Sequence, residues 1–271
     1  MVIEVQKENR FELSSTSKGN QIKWYRDNTF YKADSMGYES ISEALVSELE
    51  HYIVGWEEGK TFIDYWLCLI KEGYREYKGC YSKSFLKDGE SVISLSRVLE
   101  SYFPTNNDLG KFFKKYQGKD LKESIIKICS ISLNLQCDVI EQYFSNIVKL
   151  DSIVLNEDRH LNNISFIRHK GGNYSIAPIF DNGLSLLSDT GDFPLSDNYL
   201  SMLHRVKARP FSRNFKKQVG YFNTDMLKIN YKGFIESINS KTVPFKEKEY
   251  SRAKNVLLYQ LRTTKGVVWH E

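Results

Sequence analysis

The chain is poor in the features that would decide its class at a glance. Its 271 residues contain four cysteines, Cys68, Cys80, Cys129 and Cys137. None forms a C-x-x-C pair, and no histidine stands at zinc-site spacing from them, so a structural zinc site is not expected. Each lies in an apolar stretch, which predicts buried free thiols and a reducing compartment. No apolar run approaches the length needed to span a bilayer; the longest covers Tyr65–Ile70. Residues Met1–Arg10 carry Glu and Lys and no apolar core, so they do not read as a secretory signal. Repeats and low-complexity tracts are also missing. Net charge is +4, too mild to indicate nucleic acid as the main partner. Two small basic clusters, at 111–115 and 213–217, read as solvated helix faces. The expected location is the cytoplasm, with export by a route lacking a cleaved signal left open.

What remains is an ordinary globular composition, 41% hydrophobic and 27% charged. Its length suits one large domain or two lobes. The most informative stretch runs from Asp151 to Leu187. An apolar run, Ile153-Val154-Leu155, leads into a polar knot, Asn156-Glu157-Asp158-Arg159-His160-Leu161-Asn162-Asn163. Two short alternating runs follow, Ile164–His169 and Tyr174–Ile179, separated by Gly171-Gly172. This pattern predicts a β-hairpin. Asn163 at its entry and Asp181 at its exit would then lie side by side, with Asp158 on the connecting loop. Two Asp and one Asn converging in this way supply hard oxygen ligands of the kind Mg²⁺ takes. An Asp, an Asn five residues later and an Asp after the next hairpin form the layout of a phosphoryl-transfer site.

The rest of the chain arranges itself around that segment. Phe11–Leu13, Gln21–Arg26 and Thr29–Ala33 read as strands. Between the first two lies a small-residue tract, Ser14–Asn20, able to fold over phosphates with hydroxyls and backbone N–H groups. Lys32 on the third strand is the expected phosphate cation, and Lys23 on the second is read as facing solvent. A helix is predicted over Glu39 to Val54, with Ile41, Leu45 and Leu49 on one stripe. Glu43, or else Glu39, could hold Lys32 toward the phosphates. A hairpin is expected over Thr61–Lys71 and Tyr74–Cys80, and a crossing between lobes over Cys80–Leu86. From Ser91 the pattern turns helical, with the strongest helices at Leu121–Leu135 and Val139–Leu150. The polar stretch Asp189–Asp197 is a candidate acceptor-facing loop. Helical stretches near Tyr199–Lys207, Thr224–Ile238 and Lys246–Thr263 close the chain.

The run from Leu155 to Ser185 resembles the catalytic core of HipA-like serine/threonine kinases, bacterial enzymes of which many are toxin components. Tyr31-Lys32-Ala33-Asp34, Gly37-Tyr38-Glu39 with Glu43, Gly79-Cys80 with Ser82, and Ala208-Arg209-Pro210-Phe211-Ser212 are similar to that family in the same order. The resemblance implies an α+β, two-lobed protein-kinase-like fold. Its N-terminal lobe, residues 1–82, would be an antiparallel sheet with one helix, and a mostly helical C-terminal lobe would span 83–271. It further implies ATP and Mg²⁺ as cofactors, with Asp158 and His160 catalytic, and Asn163 and Asp181 on the metal. Lys32, Glu43, Ser15, Thr16, Ser17 and Ser82 would line the nucleotide. Ser14, Ser15, Thr16 and Ser17 become candidates for inhibitory autophosphorylation. The implied partners are a protein substrate, such as a translation component, and a small antitoxin. Full-length HipA proteins carry an N-terminal subdomain that is expected to be missing here. The order Asp158-Arg159-His160 is that of phosphoinositide kinases, so a lipid or small-molecule acceptor is a rival reading. An inactive kinase fold used for binding is another. The acidic, polar loop at Asp189–Pro194 argues for a protein acceptor.

Overall fold

The computed structural model describes residues 1–10, 21–196, 198–222, 225–264 and 267–270. The expected strand at Phe11–Leu13 and the tract holding Ser14, Ser15, Thr16 and Ser17 lie outside the described residues.

The N-terminal part is a five-stranded sheet, in the order β1-β4-β5-β3-β2. Its strands are β1 (Val2–Val5), β2 (Lys23–Arg26), β3 (Thr29–Ala33), β4 (Trp66–Glu72) and β5 (Arg75–Lys83). Asp27 and Asn28 both adopt positive φ, 50° and 56°, as a two-residue hairpin turn requires, and Asn/Asp tolerate it best. The sheet is not wholly antiparallel as expected: β1 runs parallel to β4, with Val2 opposite Leu69. Strand β4 begins at Trp66, later than the apolar run, because Ile63 and Tyr65 instead pack beneath the sheet with Cys80. One face of the sheet buries Trp24, Tyr31, Cys68 and Ile70. The other carries Lys23, Lys32 and Ser82 toward a cleft.

Helix α1 (Glu39–Glu50) is the one helix of this part. It stops four residues short of the expected end, because Ile53 leaves the helix to bridge Ile229. The chain then extends past Lys83 into a second small sheet, order β6-β7-β8, formed by β6 (Ser91–Ser94), β7 (Ser165–Arg168) and β8 (Tyr174–Ile176). The Ser91–Ser94 stretch is therefore a strand, not the start of a helix. Pairing with Phe166 and its neighbours decides this, a long-range contact that local periodicity does not encode.

The remainder is helical. Helices α2 (Leu95–Tyr102), α3 (Asn106–Lys115), α4 (Gly118–Leu133) and α5 (Cys137–Val154) come first. Then follow α6 (Phe215–Val219), α7 (Tyr231–Ser240) and α8 (Glu247–Thr263). Ser94 and Thr105 cap α2 and α3 through their hydroxyls. The inner face of helix α5 is mostly apolar, and Ile147, Leu150 and Val154 carry it to the threshold of the polar knot, with Asp151 buried among them. The expected helix at Thr224–Ile238 is split: Leu227–Asn230 forms β9, paired in parallel with β10 (Val267–His270), and α7 begins only at Tyr231. Three cysteines are buried as expected, but Cys137 is exposed, since it opens α5 on its outer side. No helix among the described residues is long and apolar enough to cross a membrane.

Two glycines are fixed by close backbone approach. A Cβ on Gly79 would stand 2.2 Å from the Lys32 carbonyl oxygen, and one on Gly37 2.0 Å from that of Ser188. Gly79→Ala should therefore destabilise the protein by about 2 kcal/mol or more. Gly110, in helix α3 with open space around it, makes the control. Gly110→Ala should stabilise by up to about 1 kcal/mol. Chemical denaturation of the two variants checks the pair; equal effects would contradict the packing described.

Candidate active site

The cleft between the sheet and the helical part has a volume of about 780 Å³. Its walls include Lys32, Glu39, Ser82, Asp158, His160, Asn163 and Asp181; Glu43 stands immediately behind Lys32, and no described residue of the candidate acceptor-facing loop from Asp189 is among the lining residues.

Lys32 enters from β3 and is almost fully buried. Its Nζ donates to Glu43 Oε1 at 2.7 Å and to Asp181 Oδ1 at 2.8 Å. Tyr65 lies below, its ring 4.9 Å from the ammonium. One cation thus bridges two carboxylates. Burial opposes the charge on Lys32, but Asp181 and Glu43 outweigh it and hold its pKa well above the ordinary value. Burial likewise pushes both carboxylates upward, yet Lys32 and Lys23 draw Asp181 well below the usual carboxylate range. Glu43, the more deeply buried, stays raised, because a single cation does not offset two carboxylates. Glu39, the second choice for Lys32, does something else: its carboxylate accepts from the backbone N–H groups of Ser35, Met36 and Gly37. It shapes the loop before α1.

The polar knot is organised by Arg159, which is fully buried. Its guanidinium pairs with Asp151 of α5 at 3.0 Å. It also donates to the carbonyls of Asn163 and Phe180, at 3.1 and 2.7 Å, and to Asn182 Oδ1 at 2.6 Å. One side chain therefore joins the end of α5, the turn at Leu161–Asn163 and the segment after the hairpin. Burial works against its charge, but Asp151 keeps the pKa above its ordinary value. Leu155 and Asp181 both take left-handed backbone, φ 57° and 62°. Such positions persist where surrounding bonds over-determine them.

Asp158 projects from this frame into the cleft. Its backbone N–H donates to Asn156 Oδ1 at 3.0 Å, and its carbonyl accepts from Asn163 Nδ2 at 3.0 Å. That bond fixes the Asn163 amide and leaves Oδ1 as its ligand-type atom. His160 accepts from the Asn162 N–H at Nδ1, 3.1 Å, so in the neutral ring the proton sits on Nε2. Nε2 lies 3.7 Å from Asp158 Oδ2. Burial lowers the pKa of His160 against the pull of Asp158, which keeps the ring neutral at physiological pH. Arg209 approaches Asp158 from the other side, at 3.8 Å. Ser82 is buried on β5, at the level of Phe30. The apolar end of the cleft holds Ile63, Phe85 and Phe180, with the two phenyl rings stacked at 6.1 Å.

Three functional-looking residues escaped the reading of the sequence. Lys23, expected in solvent, is buried and lines the cleft directly opposite Lys32 in the β2–β3 register. The two-residue turn at Asp27-Asn28 already implied that pairing. Arg159 was quoted only as part of a motif, and its partner Asp151 carried no signal at all. Arg209 lies 51 residues beyond Asp158 in sequence, and only the fold brings them together.

No family model and no curated protein matches the sequence. Among solved structures, the chain is similar to the proinflammatory kinase CtkA of Helicobacter pylori, with a TM-score of 0.59 and 16% identity. The match covers 97% of this chain and 94% of that one. It is also similar to HipA of Shewanella oneidensis, in a complex with HipB and operator DNA, with a TM-score of 0.46 and 15% identity. There the match covers 93% of this chain and 64% of that one. The first likeness shows a kinase fold, α+β with an N-terminal sheet and a helical remainder, as the resemblance implied.

The charge pattern of the cleft separates its two lysines. Lys32→Met leaves Glu43 and Asp181 facing each other and should lower stability by roughly 3 kcal/mol. Among the described residues no carboxylate closes on Lys23 as two do on Lys32, and burial lowers its pKa. Lys23→Met should therefore stabilise the ligand-free protein by about 1 kcal/mol. That advantage should shrink as pH rises into the alkaline range, where the folded wild type sheds the Lys23 proton before the unfolded chain does. Melting temperatures across pH check both signs; a Lys23→Met protein less stable than wild type would contradict them.

Proposed function

We propose that the protein is an ATP- and Mg²⁺-dependent phosphotransferase acting on a serine or threonine hydroxyl of a protein. The observation that carries this reading is the Lys32 bridge between Glu43 and Asp181, set in one cleft with Asp158 and Asn163. A buried cation held between two carboxylates, with a third carboxylate nearby, suits a polyphosphate better than an apolar or neutral ligand.

The donor set fits a hard cation: Asp181 and Asn163 offer carboxylate and amide oxygens. These two residues would hold Mg²⁺. Bound with ATP, the ion supplies neutralisation of charge on the β- and γ-phosphates. Ile63, Phe85 and Phe180 would receive the base. Lys32 would contact the phosphates, held by Glu43, and Lys23 would add a second cation on the same face. Asp158 would orient the acceptor hydroxyl. The acceptor oxygen forms a bond to the γ-phosphorus as the bond to the bridging oxygen breaks. ADP leaves, and the hydroxyl proton passes to Asp158. His160 Nδ1 is already taken by a backbone N–H, so the neutral ring would steady Asp158 through Nε2–H rather than act as the base. Ser15, Thr16 and Ser17 remain candidates for closing over the phosphates and for autophosphorylation.

Asp158→Ala and Asp181→Ala should each lower transfer of labelled γ-phosphate by roughly a thousandfold or more. Asp158→Ala should retain stabilisation by Mg-ATP, since its role lies with the acceptor, whereas Asp181→Ala should lose it. A radiolabel assay paired with thermal melting checks this; near wild-type turnover in either variant would refute the assignment.

A further inference from the structure

From Asn198 to Thr224 the chain has no carboxylate and carries six cations: Arg205, Lys207, Arg209, Arg213, Lys216 and Lys217. The whole protein has a net charge of +4, so the remainder of the chain is net acidic. The positive charge is concentrated in one segment. All six side chains are exposed. Among the described residues only Arg209 lies within ion-pair distance of a carboxylate, and that carboxylate is Asp158.

The segment is a built surface. Gln218, fully buried, accepts from the N–H groups of Phe211 and Ser212, at 2.9 and 3.1 Å, and donates to the Arg209 carbonyl at 2.9 Å. The Ala208 N–H donates to the Arg213 carbonyl at 3.2 Å. Val206 and Phe211 anchor it in the core, and Ala208 is buried between them. The backbone is thus tied down between Ala208 and Arg213, and over 205–209 exposed cations alternate with buried Val206 and Ala208. The cluster at 213–217 is in part the solvated helix face expected from sequence, since Lys216 and Lys217 are exposed on α6, but Arg205, Lys207, Arg209 and Arg213 extend the basic stretch beyond that helix. Arg209 links the ledge to the site, 3.8 Å from Asp158, while Arg213, Lys216 and Lys217 lie outside the cleft lining.

We infer that this ledge is the docking surface for the phosphoacceptor, and that the acceptor is an acidic polypeptide segment. The inference rests on the phosphotransferase reading for its catalytic meaning but not for the binding itself. An acidic chain laid along the ledge would bring its hydroxyl-bearing residue to Asp158, and its nearest carboxylate would compete for Arg209. Steering by such a patch acts over about 10 Å at moderate ionic strength. Two features favour a polypeptide over nucleic acid or an anionic membrane. Phe211 and Phe222 are buried and Phe215 is partly buried against the core, so none of the phenylalanines here presents a fully exposed face for base stacking. Outside the ledge the chain is net acidic, which favours a short acidic segment confined to the ledge over an extended polyanion that would run past it.

The test measures binding and transfer separately. The binding probes are three fluorescent serine peptides, flanked by Glu/Asp, by Gly/Ala or by Lys, together with a single-stranded oligonucleotide and phosphatidylserine vesicles. The variant Arg213→Glu/Lys216→Glu/Lys217→Glu spares every residue of the cleft. The acidic peptide should bind tightest, weaken by about tenfold or more in the variant and weaken with added salt. Stabilisation by Mg-ATP should be unchanged in the variant, and labelled phosphate should go preferentially to the acidic peptide. Equal affinity for the neutral peptide, or an unaltered variant, would overturn the inference. So would tighter variant-sensitive binding of the oligonucleotide or the vesicles. Loss of Mg-ATP stabilisation in the wild type, with acidic-peptide binding intact, would instead sink the phosphotransferase reading and leave the ledge standing.

Discussion

The site depends first on one buried ion pair. Arg159 and Asp151 are both fully inaccessible, and neither charge is tolerable there alone. Removing one partner of such a pair costs about 3–5 kcal/mol, because the other is left charged in a dry interior. What the pair adds is placement. The guanidinium has five donors in a rigid plane, and they reach three separate segments. Two of those segments carry Asn163 and Asp181, and Asp158 immediately precedes Arg159 itself. A lysine could offer the charge but not the fork, and the three oxygen-bearing side chains would lose their common reference. Asp151 sits in the last turns of α5, the best-buried helix of the lobe, so the frame is tied to the core.

On that frame stands an unbalanced charge system. In the ligand-free cleft Lys32 serves Glu43 and Asp181 together, while Lys23 contributes a cation that no described carboxylate closes on. Like charges directly opposite on one face of a sheet repel. The two lysines and two carboxylates balance in number but not in geometry: Lys32 is shared by both carboxylates, and Lys23 acts on Asp181 from beyond ion-pair distance. The proposed metal–polyphosphate would bring a dication to Asp181 and phosphate oxygens to the lysines, which a neutral ligand would not.

How much of this was legible in the sequence follows from the range of the interactions. The hairpin carrying Asn163 and Asp181 is local, and its alternation around Gly171-Gly172 was enough to predict it. The pairing of Lys32 with Lys23 was equally local, fixed by a two-residue turn, and was overlooked in favour of the generic expectation that strand lysines face water. The strands β6 and β9 were misread as helix because their partners lie far away in sequence. The parallel pairing of β1 with β4 spans 67 residues, from Val2 to Leu69, and has no local signature. Asp151, at the end of an apolar helix, was invisible for the opposite reason. Its importance comes from being buried with a partner, and a carboxylate inside a helical stripe carries no mark of that.

The position of α1 shows how these levels meet. Glu43 can hold Lys32 only while α1 stays against the cleft, and the structure secures α1 from several directions. Asp34 accepts from the Ser40 N–H at 2.7 Å and pairs with Lys246, which opens α8. Glu39 gathers the preceding loop, Gly37 packs against Ser188, and the Tyr38 hydroxyl donates to the Leu186 carbonyl at 2.8 Å. Along the helix, Ser42 donates to the Ser185 carbonyl and Glu43 accepts from the Asn182 N–H, both at 2.8 Å. Moving α1 outward would break contacts with the segment after Asp181 and with α8 in the same step. The Lys32–Glu43 pair is therefore a standing feature of the fold rather than one a partner must assemble.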